Sequence, residues 1–177
     1  MELRRGKWWS GWRIGASRAW VGVDIGSVQT KLTTFTPSED WRAATVATPK
    51  AVFEGHRIAD PGAVGAALAA VVEQMGLRSL PAAVALPAPA VVVRRLPIAA
   101  DAVGSVTERV ADELRSQAAP ASELARDFQV LGANPAGGLD VVAVAARVDV
   151  VESYARTVHL AGLRAVVVEP EYFALQN

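Results

Sequence analysis

Val21-Gly-Val-Asp-Ile-Gly-Ser-Val-Gln-Thr-Lys-Leu32 is the stretch whose reading decides the fold. Trp20 to Ile25 is short, apolar and rich in β-branched residues, which predicts a buried strand. Gly26-Ser27 predicts a turn. From Val28 to Phe35 the chain alternates, with Thr30, Leu32 and Thr34 on one face and Lys31, Thr33 and Phe35 on the other, so a second strand closes a hairpin. The turn carries groups suited to an anion. Gly26 lacks a Cβ and lets backbone N–H groups come close. Ser27 adds a hydroxyl donor. Asp24 at the strand end is placed to hold a magnesium ion through water. Lys31 supplies a point charge for phosphate. On spacing alone, an Asp-Gly-type turn with no ligand is an equally good reading.

Working outward, Trp41 to Val46 predicts a third strand after a turn at Pro37-Ser-Glu-Asp40. Asp60-Pro61 opens a helix, because Asp caps free N–H groups and Pro at the first helical position loses nothing. Val64, Ala67, Leu68, Val71, Val72 and Met75 repeat at helical spacing until Gly76. Pro81 to Leu86 and Val91 to Leu96 are short strands, the second ended by Pro97. Ser105-Val-Thr-Glu108 is a capping box for a helix with Val103, Val106, Val110 and Leu114 inward. Asp127 to Leu131 and Leu139 to Ala145 predict a hairpin around Gly137-Gly138. Asp149-Val-Val-Glu152 starts a helix whose face is Val151, Tyr154, Ala155 and Val158, and Gly162 ends it. Leu163 to Val168 is the last strand, and Tyr172 to Leu175 reads as the first turn of a further helix. The expected order is β-β-β-α-β-β-α-β-β-α-β, a mixed α/β pattern.

Composition narrows the function. The 177 residues hold 18 basic and 18 acidic side chains, which excludes a generally basic nucleic-acid coat. There is no Cys, so disulfide frameworks and thiolate chemistry are excluded, and only His56 and His159 offer imidazole, which argues against a His-built metal site. The longest apolar run, Leu80 to Val93, carries three prolines and falls short of the roughly 20 residues of a spanning helix. The charge is uneven. Residues 1–20 hold Arg4, Arg5, Lys7, Arg13 and Arg18 against Glu2, together with Trp8, Trp9, Trp12 and Trp20. This segment reads either as a membrane-surface anchor or as a tail whose Trp residues fold back on the body.

The hairpin resembles the phosphate-1 hairpin of the actin-like ATPase fold shared by actin, sugar kinases and the cell-division protein FtsA. Within that superfamily the chain is most similar to the PilM family of type IV pilus assembly. The resemblance continues through Ala82-Ala-Val-Ala-Leu-Pro87 and Val91-Val-Val-Arg-Arg-Leu-Pro97, then Asp127-Phe-Gln-Val-Leu-Gly132 and Asp140-Val-Val-Ala-Val-Ala-Ala-Arg147. It goes on through Val151-Glu-Ser-Tyr154 and Leu160-Ala-Gly-Leu163 to Val166-Val-Val-Glu-Pro-Glu-Tyr-Phe-Ala-Leu175. Three departures stand out: Ala88 where the family usually has Gly, Ala118-Ala119-Pro120 in place of a more aromatic segment, and Glu169-Pro170 in place of Asp-Val.

The resemblance implies an actin-like (ribonuclease H-like) α/β lobe. Residues 20–89 plus 163–177 would form actin-like subdomain 1A, residues 90–162 an inserted FtsA-type α+β subdomain 1C, and residues 1–19 a basic Trp-rich N-terminal segment. It implies an N-terminal half, since the family's second half carries the other phosphate loop and the adenosine pocket. Asp24, Gly26, Ser27 and Lys31 would contact ATP, with magnesium at Asp24, in an incomplete and non-catalytic site. Glu169 and Glu171 would lie near the hinge. The implied role is a cytoplasmic scaffold, peripheral at the inner membrane, that binds the N-terminal peptide of a PilN-like membrane protein and other platform proteins. Residues 1–20 would touch the membrane surface. Alternatives are a lobe of a sugar- or acetate-kinase-like phosphotransferase, a type II secretion protein of the GspL kind, and a non-functional gene fragment.

Overall fold

A computed structural model describes residues 19–35, 41–99, 101, 105–116 and 123–174. Residues 1–18 of the basic, Trp-rich segment, the turn at 37–40, Val103 and the Ala118-Ala119-Pro120 departure lie outside them. The described residues divide into two units, one running to Ala90 and resuming at Asp149, the other spanning Val91–Val148. The inserted segment drawn from the sequence, 90–162, is longer than this second unit by one helix.

In the first unit, strand β1 (Trp20–Ile25) pairs antiparallel with β2 (Gln29–Phe35), and β2 with β3 (Trp41–Ala47). Two residues each form β4 (Phe53–Glu54) and β5 (Arg57–Ile58), a small hairpin that the sequence pattern does not announce. Helix α1 (Pro61–Gln74) starts where expected, with Asp60 Oδ1 accepting from Ala63 N–H at 2.9 Å. It ends at Gly76, whose φ of +69° is a left-handed value suited to glycine. Strand β6 (Pro81–Leu86) runs parallel to β1.

Among the described residues the second unit has one sheet and one helix. A 3-10 turn (Ala88–Ala90) precedes β7 (Val91–Ile98); helix α2 (Val106–Ser116), β8 (Leu124–Ala133) and β9 (Leu139–Arg147) follow. The sheet order is β7-β9-β8. Ile98, Val106, Val110, Leu114, Val141, Ala143 and Ala145 form its core. Pro97 does not end β7, contrary to the sequence reading. It sits opposite Asp140 on an edge strand, where the missing N–H breaks no ladder. Arg95 and Asp140 form an ion pair across the strands at 2.6 Å. The β8–β9 turn is pinned by Asn134, whose Oδ1 accepts from Ala136 and Gly138 N–H groups at 3.0 Å each.

The chain then returns to the first unit. Helix α3 (Val148–Leu160) leads into β10 (Arg164–Pro170) and a short α4 (Glu171–Ala174). β10 is parallel to β6, so the five-stranded sheet has the order β10-β6-β1-β2-β3. A bulge at Val166 shifts its register between Ala165 and Val167. One face of the sheet carries Val21, Val23, Ile25, Leu32, Val84 and Leu86, all buried. Helices α1 and α3 meet at Gly65, where an added Cβ would lie 2.7 Å from Leu160 Cβ and 3.1 Å from the Thr157 carbonyl. Ser153 on α3 also accepts from Ile58 N–H of β5 at 3.1 Å. Among the described residues no helix is long and apolar enough to cross a membrane.

Two substitutions test this packing. Thr34 Oγ1 is buried on β2 with no hydrogen-bond partner. The isosteric Thr34→Val removes that desolvated hydroxyl; the expected gain is about 1 kcal/mol, seen as a Tm roughly 2–4 °C higher in a thermal melt. Gly65→Ala should lower Tm despite alanine's helix preference. The α1–α3 backbones must separate to admit the methyl, at a cost of about 1–3 kcal/mol.

Candidate functional site

The carboxyl ends of three adjacent parallel strands, β1, β6 and β10, lie together on one edge of the first sheet. In parallel α/β sheets this is the edge where ligands bind. Asp24, Ala85 and Glu169 form one row across the three strands, with Lys31 beside Asp24 on β2. Asp24 and Lys31 are paired at 3.0 Å, both about half exposed. Of the four residues expected at the site, Asp24 and Lys31 are thus in contact, and Gly26 and Ser27 form the turn between their strands.

The turn is tightly specified. Gly26 N–H donates to Gln29 C=O at 3.1 Å, and a Cβ on Gly26 would lie 2.8 Å from that same oxygen, so only glycine fits. Thr48, just past β3, binds it from outside. Its Oγ1–H donates to Gly26 C=O at 2.7 Å, and its N–H donates to Val28 C=O at 2.9 Å. Thr48 spends its one hydroxyl proton on Gly26, so Thr30, 2.9 Å away and fully buried, is the donor to Thr48 Oγ1. Within the described residues no backbone bond uses the N–H groups of Ser27 and Val28, which sit at the exposed tip. Free N–H groups beside a hydroxyl and an ammonium are a donor set of the kind that holds an anion.

Beyond the strand ends, Glu171 Oε1 accepts from Ala88 N–H at 2.7 Å and ties the segment after β6 to α4. Glu171 is therefore engaged with backbone at the head of α4. Tyr154 on α3, read from the sequence as a core residue, is 1% exposed. Its phenol is pushed up to about 12, first by burial and then by the Asp24 and Glu171 carboxylates. It keeps its proton at any physiological pH and stays neutral beside negative charge. Burial also raises the Glu169 carboxyl. The histidines lie elsewhere, both exposed: His56 in the β4–β5 turn and His159 at the end of α3. Among the described residues no three His, Cys, Asp or Glu side chains converge as a metal cage. Asp24 offers a single carboxylate, which suits magnesium held mainly by water and phosphate oxygens.

The sequence pattern leaves out Thr48 and gives Thr30 and Tyr154 packing places only. The alternation puts Thr30 on a face but says nothing of a network, and Thr48 lies in a polar stretch with no periodicity. Glu169 gives the pH test. Its folded form binds the proton more tightly than the unfolded chain, whose carboxyl titrates near 4.5. The stability it contributes is present below that value and is lost as pH rises through the higher folded value. Glu169→Gln should therefore melt a few degrees above the parent at pH 7, and the two melting curves should converge near pH 4.

Comparison with known proteins places this geometry. The family model for type IV pilus assembly protein PilM matches residues 22–177. No curated protein sequence matches the chain. Among solved structures, a chain of a PilM–PilN type IV pilus biogenesis complex superposes with a TM-score of 0.73 at 22% identity, covering 87% of this chain and 48% of that one. The cytoplasmic domain of EpsL, an inner-membrane component of the type II secretion system of Vibrio cholerae, gives a TM-score of 0.54 at 12% identity. That match covers 88% of this chain and 58% of EpsL's. The chain thus spans about half the length of the structures it matches. The fold, a mixed α/β lobe, is the one these two structures share. With the match running from Gly22 in β1 to the last residue, this chain belongs to the PilM family of type IV pilus assembly proteins.

Proposed function

We propose that the chain serves as a scaffold of the type IV pilus inner-membrane assembly platform by binding the N-terminal peptide of a PilN-like membrane protein. The observation that supports this is the likeness to a chain of a PilM–PilN complex, which extends over 87% of this chain. The likeness to EpsL, with a lower TM-score and identity, gives the type II secretion reading weaker support. The scaffold would work at the cytoplasmic side of the inner membrane, reached through its partner and through the basic, Trp-rich residues 1–20.

The hairpin turn is the second part of the reading. Ser27 and Val28 N–H groups, the Ser27 hydroxyl and Lys31 would hold the phosphates of ATP, and Asp24 would hold magnesium through water. Bound ATP would supply phosphoanhydride groups for these donors to neutralise. Lys31 must first leave Asp24, to which it is paired at 3.0 Å. Such a one-sided set of donors favours binding over turnover, because phosphoryl transfer needs the nucleophile and the leaving group both positioned. The role is therefore proposed as non-catalytic.

The peptide reading is tested with a synthetic N-terminal peptide of the PilN-like protein, labelled for fluorescence anisotropy. Saturable binding around the micromolar range is expected, weakened by excess unlabelled peptide and not by a scrambled one. A cooperatively melting sample that leaves the anisotropy unchanged at saturating concentration would count decisively against it.

A further inference from the structure

A trans peptide unit points its C=O and N–H in opposite directions. Whatever holds the Gly26 carbonyl therefore also aims the Ser27 N–H. In a two-residue hairpin the first carbonyl ordinarily accepts from the N–H three residues on. Here the described backbone bonds include Gly26 N–H to Gln29 C=O but not the reverse bond. The Gly26 carbonyl is instead taken by Thr48 Oγ1 at 2.7 Å, from a residue 22 positions away. Thr48 is 7% exposed, and Thr30, behind it, is fully buried at 2.9 Å. Thr30 donates to Thr48 and fixes its rotor, so the Thr48 proton is committed to Gly26.

We propose that Thr48, oriented by Thr30, is a positioning residue for the polyphosphate of a bound nucleotide: by holding the Gly26 carbonyl on the β3 side it turns the Ser27 N–H outward toward the ligand. The proposal rests on the nucleotide reading of the hairpin. It touches no ligand atom itself and acts through the backbone of the turn. Without the hydroxyl, the Gly26 carbonyl is released to accept Gln29 N–H and the 26–27 peptide unit rotates, taking the Ser27 donor out of line. The Thr48 N–H bond to Val28 C=O is a backbone bond that valine and serine can both make, so these substitutions isolate the hydroxyl.

The test uses the full chain with magnesium pyrophosphate as the probe, titrated by calorimetry, and amide NMR of the free protein. Thr48→Val, matched in shape, should weaken pyrophosphate binding roughly five- to tenfold, the share of one hydrogen-bonded donor. Thr48→Ser should rescue it to within about twofold. Thr30→Val should fall between them. The Ser27 amide resonance should move in Thr48→Val and stay in Thr48→Ser. Pyrophosphate binding by Thr48→Val equal to the parent's overturns the proposal, as does an unmoved Ser27 resonance. If the parent itself ignores pyrophosphate, the nucleotide reading fails on its own account. The amide spectra then still decide: a Ser27 resonance that moves in Thr48→Val and returns in Thr48→Ser upholds the positioning of the turn, and an unmoved one overturns it.

Discussion

Strand β1 occupies the middle of the five-stranded sheet, and everything at the candidate site depends on its being held from both sides. It is antiparallel to β2 and parallel to β6. Its inward residues, Val21, Val23 and Ile25, are all buried. A central strand has no freedom to slip, because a one-residue slip would turn that apolar set outward. Asp24 is thereby fixed at the carboxyl edge and Gly26 at the start of the turn. The antiparallel partner brings Lys31 opposite Asp24, and the parallel partners bring Ala85 and Glu169 into the same row. The site is a property of the sheet's register before it is a property of any side chain.

That register was legible in the sequence where periodicity is strong. The limits Trp20–Ile25 and Pro81–Leu86 are those observed, because short apolar β-branched or alanine-valine runs bounded by turns leave little choice. The starts and stops of α1 follow from Asp60, Pro61 and Gly76, whose side chains or left-handed φ act locally. Pro97 does not stop β7 because a missing N–H ends a strand only where neighbours flank it on both sides, and edge position is not written in the local sequence. The β4–β5 hairpin was missed because two residues per strand carry no period.

The candidate site was legible in part, and the division is physical. Asp24, Gly26, Ser27 and Lys31 lie within one hairpin, so local pattern reaches them. Thr48 comes to Gly26 only after β3 has folded alongside, and its hydrogen bond spans 22 positions. Tyr154 shares a helical stripe with Val151, Ala155 and Val158, and nothing in that spacing separates a phenol beside carboxylates from an ordinary core residue. Long-range polar contacts leave no periodic trace, and these are the contacts that shape the turn.

The bulge at Val166 has a consequence for chemistry. Had β10 continued in step from Ala165 opposite Ala82, Glu169 would have landed opposite Leu86, on the face that carries the buried Val21, Val23 and Ile25. The extra residue acts as a phase change. It carries Glu169 across to the Asp24 row while Val168 and Pro170 still dock beside Val84 and Leu86. One surplus valine thus reconciles two demands that a plain alternating strand cannot meet together, an apolar underside and an acidic rim.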